Sequence, residues 1–120
     1  MNKSEMALLK EIQLEMTRRG CRAWRANVGA GWTGDAMRNG DGSIFIRNPR
    51  RFQTGLPNGF PDLIVICPNG RVIFMELKTE KGALRDDQKQ MHKFLSKMGQ
   101  HVCVCRSVED AIKEIEKDGI

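Results

Sequence analysis

The sequence predicts one α/β domain, a mixed β-sheet flanked by helices. Three observations lead there. The chain has 120 residues, a length that suits a single domain spanning 1–120. Two apolar runs, "DLIVIC" and "RVIFMELK", flank the turn signal Pro68-Asn69-Gly70. Amphipathic helical patterns open the chain, close it, and separate the later strands.

In order, residues 3–19 read as a helix, with Asn2 or Ser4 as cap candidates and Gly20 as the stop. "CRAWRAN", 21–27, reads as a strand. Residues 28–43 are rich in Gly, with Asp and Asn, and read as a flexible loop. "SIFIR", 43–47, is a short strand candidate, and 48–60 reads as a second loop. Strands follow at 62–67 and 71–78, then a helix over about 85–98 that ends at Gly99. "HVCVC" is a strand. "SVEDAIKEIEK" is a closing helix that Ser107 can cap, with Asp110 three residues on.

Composition narrows the class. Charged residues make up 29% and apolar ones 40%, the balance of a folded, soluble chain rather than a disordered one. No apolar run approaches a membrane span, and the N-terminus lacks the pattern of a signal peptide, so the expected location is the cytoplasm. The net charge of +5 fits a polyanionic partner. Four cysteines are present, and free thiols in a reducing compartment are expected. His101, Cys103 and Cys105 share one strand face, which leaves metal ligation open. Small apolar thiols on a half-buried strand are the simpler reading.

The hairpin raises the functional question, because Asp62, Glu76 and Lys78 interrupt runs that otherwise read as buried sheet. Register decides what they do. A two-residue loop, Asn69-Gly70, would set Asp62 opposite Leu77 and turn it away from Glu76. A three-residue loop over 68–70 sets Asp62 opposite Glu76 and puts Gly70 where φ is positive. Glu76 and Lys78 share a face by the two-residue period, so in that register all three charges converge. Two buried carboxylates are costly unless a cation joins them. Lys78 could serve alone as a structural salt bridge. The functional alternative adds a divalent ion, for which two hard oxygen ligands suit Mg²⁺ or Mn²⁺. Such an ion makes water a better nucleophile and offsets charge on a phosphate, with Lys78 beside it.

Two helical polar residues fall on apolar stripes. With about 100° per residue, Leu8, Leu9, Ile12 and Met16 lie within roughly 60° of Glu5. Glu5 can be a helix-start carboxylate favoured by the dipole, or can reach the metal site. Gln88 lies within roughly 60° of Leu84, Met91 and Leu95. A buried amide needs partners, either backbone or a carboxylate or water of the active site.

The spelling "PD…ExK" matches the signature of PD-(D/E)XK nucleases. A helix with Glu, then "WRAN.GA", "G.PDL", "ELK" and "L…Q" ten residues after the Lys resembles the VRR-NUC branch of that superfamily, in its standalone form from phage or bacteria. The likeness covers nearly the whole chain. It implies a restriction-endonuclease-like core and a divalent-metal DNA endonuclease in a bacterial or phage-infected cell. By that resemblance Asp62 and Glu76 bind the metal with the carbonyl of Leu77, Lys78 is the catalytic lysine, and Glu5 and Gln88 are accessory polar residues of the site. One departure is that Arg85 stands where the family often has Ser or Thr before the Gln helix. Small standalone members resemble dimeric Holliday-junction resolvases, which implies a homodimer acting on four-way junctions. A nuclease for flaps or linear duplex, or a non-catalytic DNA-binding module, are the alternatives.

Arginines gather in the first strand and the loop-rich middle. Arg25, Arg47, Arg50 and Arg51, with Arg22 and Arg38, are candidates to hold DNA phosphates, against the simpler reading of a solvated face. Trp24 and Trp32 read first as core or interface anchors, with Trp32, between glycines, the more exposed. Trp32, Ile44, Phe45 and Phe52 are the interface candidates for a dimer.

Overall fold

The computed structural model describes residues 3–26, 29–53 and 55–117. These form α1 (Lys3–Arg18), β1 (Arg22–Arg25), β2 (Ala30–Arg38), β3 (Ile44–Gln53), β4 (Leu63–Ile66), β5 (Val72–Leu77), α2 (Asp86–Lys97), β6 (His101–Cys105) and α3 (Val108–Glu116). They cluster into two compact units, one made of 1–26 with 59–120 and the other of 27–58.

The larger unit is built on a four-stranded sheet in the order β1-β4-β5-β6. β1 and β5 each pair antiparallel with β4, and β6 pairs parallel with β5, so the sheet is mixed. The parallel pair requires a crossover, and α2 supplies it. One sheet face carries Leu63, Val65, Ile73, Met75, Leu77 and Cys105. It is packed under Leu9, Ile12 and Met16 of α1 and Ala111 and Ile115 of α3, all buried. The alternation of β4 is strict, with Leu63 and Val65 fully buried and Ile64 and Ile66 half-buried. The other face carries Phe74, Glu76 and, from β4, Ile64, and Phe60 meets Phe74 edge-on at 5.7 Å between centroids.

The hairpin adopts the three-residue loop. Cys67 N–H donates to the Arg71 carbonyl at 2.8 Å, and Gly70 N–H donates back to the Cys67 carbonyl at 2.9 Å. Gly70 has φ of 85°, the left-handed conformation that the last loop position demands. Ile66 pairs with Val72 and Leu63 with Met75. Continued by one residue, this ladder sets Asp62 opposite Glu76.

Gly59 explains why a glycine precedes the Pro61-Asp62 pair. Its φ is 86°, and a Cβ there would run into the Asp87 carbonyl at the start of α2. The chain therefore passes backbone to backbone against the helix that follows the hairpin. Gly59→Ala is expected to lower unfolding free energy by roughly 2–4 kcal/mol, from left-handed strain together with a backbone clash. The urea midpoint should fall at an unchanged m-value. An unchanged midpoint would mean the loop has room to move.

The termini of the other elements follow capping chemistry. Ser107 Oγ accepts from Asp110 N–H at 3.1 Å and starts α3 as its sequence suggests. The α2 start shifts by one residue from the sequence expectation, with Arg85 as the extended N-cap. Of the two cap candidates for α1, Asn2 lies outside the described residues, and Ser4 falls inside the helix. Trp24 is 56% exposed on β1 rather than part of the core.

The second unit departs from its loop reading. Residues expected as loops over 28–43 and 48–60 contain a long antiparallel ribbon, β2 with β3. Val28 and Thr54 lie outside the described residues. Five glycines between 29 and 42 dilute strand propensity, and Asn48-Pro49 looks like a strand breaker. The ribbon accommodates the breaker in a bulge. Thr33 pairs with Arg50 and Asp35 with Arg47, leaving Asn48 and Pro49 opposite Gly34. Proline's missing N–H thus falls where no ladder bond is made, and Asn48 takes the left-handed φ of 51° that asparagine tolerates. The connecting turn is tied by Asp41, whose carboxylate accepts from Ser43 N–H at 2.9 Å and Ser43 O–H at 2.6 Å.

Candidate active site

The end of the β4–β5 hairpin gathers the charged groups. Asp62 Oδ2 accepts from Leu77 N–H at 2.8 Å, which fixes the carboxylate across the hairpin. Its backbone carbonyl accepts from Ala26 N–H at 2.8 Å, so β1 extends to the same point. Glu76 is 1% exposed and Lys78 7%, the two buried charged residues among those described. The Asp62 and Glu76 carboxyls lie close enough that each perturbs the other's titration.

Two neighbouring buried carboxyls cannot both stay ionised unless a cation joins them. Burial first, then the Glu76 carboxyl, push Asp62 up to about 7. Burial also raises Glu76, opposed by Asp62, Lys78 and Arg85 and reinforced by the charge of Glu5. Two neighbouring carboxyls titrate as a pair, and the positive charge of Lys78 does not fully offset them, since both remain raised. The donors present are hard oxygens, close together, at the end of a rigid hairpin. The chemistry of this donor set fits a small divalent cation, which Asp62 and Glu76 could hold.

The helices bring further groups. Glu5, in the first turn of α1, acts electrostatically on Glu76. Gln88 is 5% exposed and its side-chain oxygen accepts from Arg85 N–H at 2.9 Å, so that oxygen serves the helix start. The backbone partner foreseen for a buried amide is thus realised, and the buried amide sits in the first turn of the helix that also meets Glu76. The residue that sequence reasoning missed is His92. Its Nε2 lies 3.3 Å from Glu76 Oε1. Burial holds the imidazole below its usual range, so it is neutral near pH 7. The signal was available, since His92 follows Gln88 by four residues and therefore shares its helix face.

The loop after Lys78 is clamped from β6's far end. Arg106 donates to the carbonyl of Thr79 at 2.8 Å and to that of Gly82. Asp110 Oδ2 in turn accepts from Arg106 N–H at 2.9 Å. Lys78 N–H itself donates to the Cys105 carbonyl at 3.1 Å, which extends the parallel ladder to the lysine.

Of the arginine candidates, Arg25 is exposed on β1, opposite Leu63. Arg47, Arg50 and Arg51 are exposed on β3, opposite Asp35, Thr33 and Trp32 respectively.

A separate cluster lies elsewhere on the sheet. His101, Cys103 and Glu114 each present one potential ligand atom, all within 4.8 Å of one another, an arrangement capable of coordinating a divalent metal. Cys103 pairs with Met75 and His101 with Ile73, whereas Glu76 pairs with Val104. Alternation therefore puts this cluster on the face opposite Glu76.

A mixed sheet flanked by helices, with paired carboxylates and a lysine at the end of a central hairpin, defines the class of metal-dependent nucleases with a restriction-endonuclease-like core. The family model for the VRR-NUC domain matches residues 45–109, more than half of the chain. This protein belongs to the VRR-NUC family. A solved structure described as a VRR-NUC domain shares the fold with a TM-score of 0.67. It is 22% identical, and the match covers 96% of this chain and 97% of that one. No curated protein matches the sequence. Among the described residues, no helix is long and apolar enough to cross a membrane.

Proposed function

We propose that this chain is an endonuclease dependent on Mg²⁺ or Mn²⁺ that cuts branched DNA, four-way junctions in preference to linear duplex, as a homodimer in the cytoplasm. The observation that carries the catalytic reading is the Asp62–Glu76 carboxyl pair beside buried Lys78. Asp62 and Glu76 would hold the ion, with the carbonyl of Leu77 as a third oxygen. The bound ion would supply Lewis acidity, offsetting charge that builds on the phosphate and favouring ionisation of the attacking water. Leu77 N–H orients Asp62 from behind. Lys78, fixed by the parallel ladder and the Arg106 clamp, would stabilise the phosphate or orient the water. Neutral His92 and Glu5 shape the electrostatics around Glu76. Gln88 would hold a water or carboxylate through its remaining amide group. The products would carry 5′-phosphate and 3′-hydroxyl ends.

DNA binding rests on the exposed arginines, Arg25 on β1 and Arg47, Arg50 and Arg51 on the ribbon. Contacts to phosphates make affinity fall steeply with salt. The double variant Arg50→Ala, Arg51→Ala is expected to flatten the slope of log affinity against log salt by about 1–2. An unchanged slope would assign these arginines to solvent.

The dimer has two supports. A four-way junction presents two symmetry-related strands, and a closed two-fold pair would present one site to each. The ribbon also exposes Trp32, Ile44, Phe45 and Phe52, each 47–61% accessible. A two-stranded hairpin with its aromatic residues in water is marginally stable, and a second copy would cover them. The test sets four-way junction, flap, duplex and single strand side by side with Mg²⁺ or Mn²⁺, and measures mass by sedimentation. A dimer mass with junctions cut fastest supports the reading. A monomer mass with equal rates on duplex and junction would reject the resolvase and leave a nuclease for linear or flap substrates. Binding without cleavage of any substrate would leave only a DNA-binding module.

A further inference from the structure

The His101, Cys103 and Glu114 cluster plays no part in the chemistry at Asp62. We infer that it is a second metal site, selective for zinc or a similarly soft divalent cation, that ties the last strand to the last helix.

The donor set decides the class of ion. An imidazole nitrogen, a thiolate sulfur and a carboxylate oxygen form a mixed set that suits Zn²⁺ and disfavours Mg²⁺, which prefers oxygen throughout. The three ligand atoms already lie within 4.8 Å of one another, so side-chain rotation can set them around one tetrahedral ion. The histidine is oriented for the role. Its Nε2 is hydrogen-bonded to Glu114 Oε2 at 2.7 Å, and an ion would take the place of the bridging proton between the same two atoms. Neither side chain is sealed away, with 16% of His101 and 18% of Glu114 exposed, which leaves an entry path and room for water as fourth ligand.

The surroundings agree with this reading. Lys117 bonds Glu114 Oε1 at 3.0 Å, leaving Oε2 turned toward the imidazole. Cys105 Sγ lies 3.8 Å from Cys103 Sγ and Cys105 is fully buried, so the thiol is backed by the core. Zinc binding would release the Cys103 thiol proton to solution. His101 and Cys103 belong to β6 and Glu114 to α3, so one ion would cross-link the two elements.

The experiment uses the full chain, stripped with chelator and then dialysed against micromolar Zn²⁺. One zinc per chain is expected, with a raised melting temperature. Cys103→Ser and His101→Gln should each lose both the zinc and the added thermal stability. The double variant Asp62→Asn, Glu76→Gln should keep both, which separates this site from the oxygen site. Should Cys103→Ser fail to fold, Co²⁺ in the wild-type chain gives the second measurement. A thiolate-to-cobalt charge-transfer band with intense tetrahedral visible bands is expected. Zinc bound equally by folded Cys103→Ser, no stoichiometric zinc in the wild type, or a cobalt spectrum without thiolate character would each overturn the inference.

Discussion

Lys78→Ala is expected to reduce metal-dependent DNA cleavage by about 10²–10³-fold or more, the scale of losing a preorganised stabilising group. DNA affinity should change little, because the lysine is 7% exposed and contributes little to long-range attraction. The fold should survive. Asp62 already tends to retain a proton, so loss of the lysine leaves one uncompensated charge rather than two. Lys78→Met keeps the aliphatic stem and should be as inactive, with a melting temperature nearer wild type. The decisive readout is single-turnover cleavage at saturating metal and protein. A variant that cuts at the wild-type rate would remove Lys78 from the site.

Asp62→Asn is expected to lose metal-dependent cleavage and gain stability without metal. The carboxyl is pushed from 3.8 up to about 7 in the folded chain, so folding favours its protonated form. A group raised in this way contributes fully below its unfolded value, and that contribution is lost as pH rises through the folded value. Above pH 7 the ionised carboxylate therefore opposes folding, and asparagine does not. A tenfold difference in proton affinity between the folded and unfolded chain is worth about 1.4 kcal/mol, and partial solvent access reduces its effect, so a gain of about 1–3 kcal/mol is expected above pH 7. Little gain should remain below pH 4. Saturating Mg²⁺ should raise the wild-type melting temperature by mass action and leave that of Asp62→Asn unchanged. An equal rise in both proteins would place the ion elsewhere. Equal stabilities without metal would mean the carboxyl pair is already compensated.

Much of the larger unit was legible because its signals are local or strictly periodic. The Pro68–Gly70 loop determined the register, and the register placed Asp62 opposite Glu76. Ser107 and Gly99 marked the limits of later helices through capping and turn chemistry. The ribbon was not legible, because its ladder holds glycines and a bulged Asn48-Pro49 that carry no strand signal of their own. Its pairing depends on backbone bonds between residues far apart in sequence, which composition does not report. His92 escaped for another reason. A lone histidine on a helix carries no meaning until the partner across the sheet is known, and that partner, Glu76, comes from a different element. The opposite-face cluster was half visible, since His101 and Cys103 shared a strand face, while Glu114 joined them only through the packing of α3.

The parallel pairing of β5 with β6 has a consequence for the order in which the enzyme comes to life during synthesis. Chains emerge from the ribosome N-terminal end first. The antiparallel hairpin carrying Asp62 and Glu76 can close on itself as soon as it appears. Helix α2, with Gln88 and His92, completes its packing when β6 returns alongside β5, and the Arg106 clamp behind Lys78 belongs to the segment just beyond. A partly made chain would therefore hold its carboxylates on an unsupported hairpin, with the lysine's loop untethered. Full support of the carboxylates and the lysine would arrive only once β6 and Arg106 have emerged.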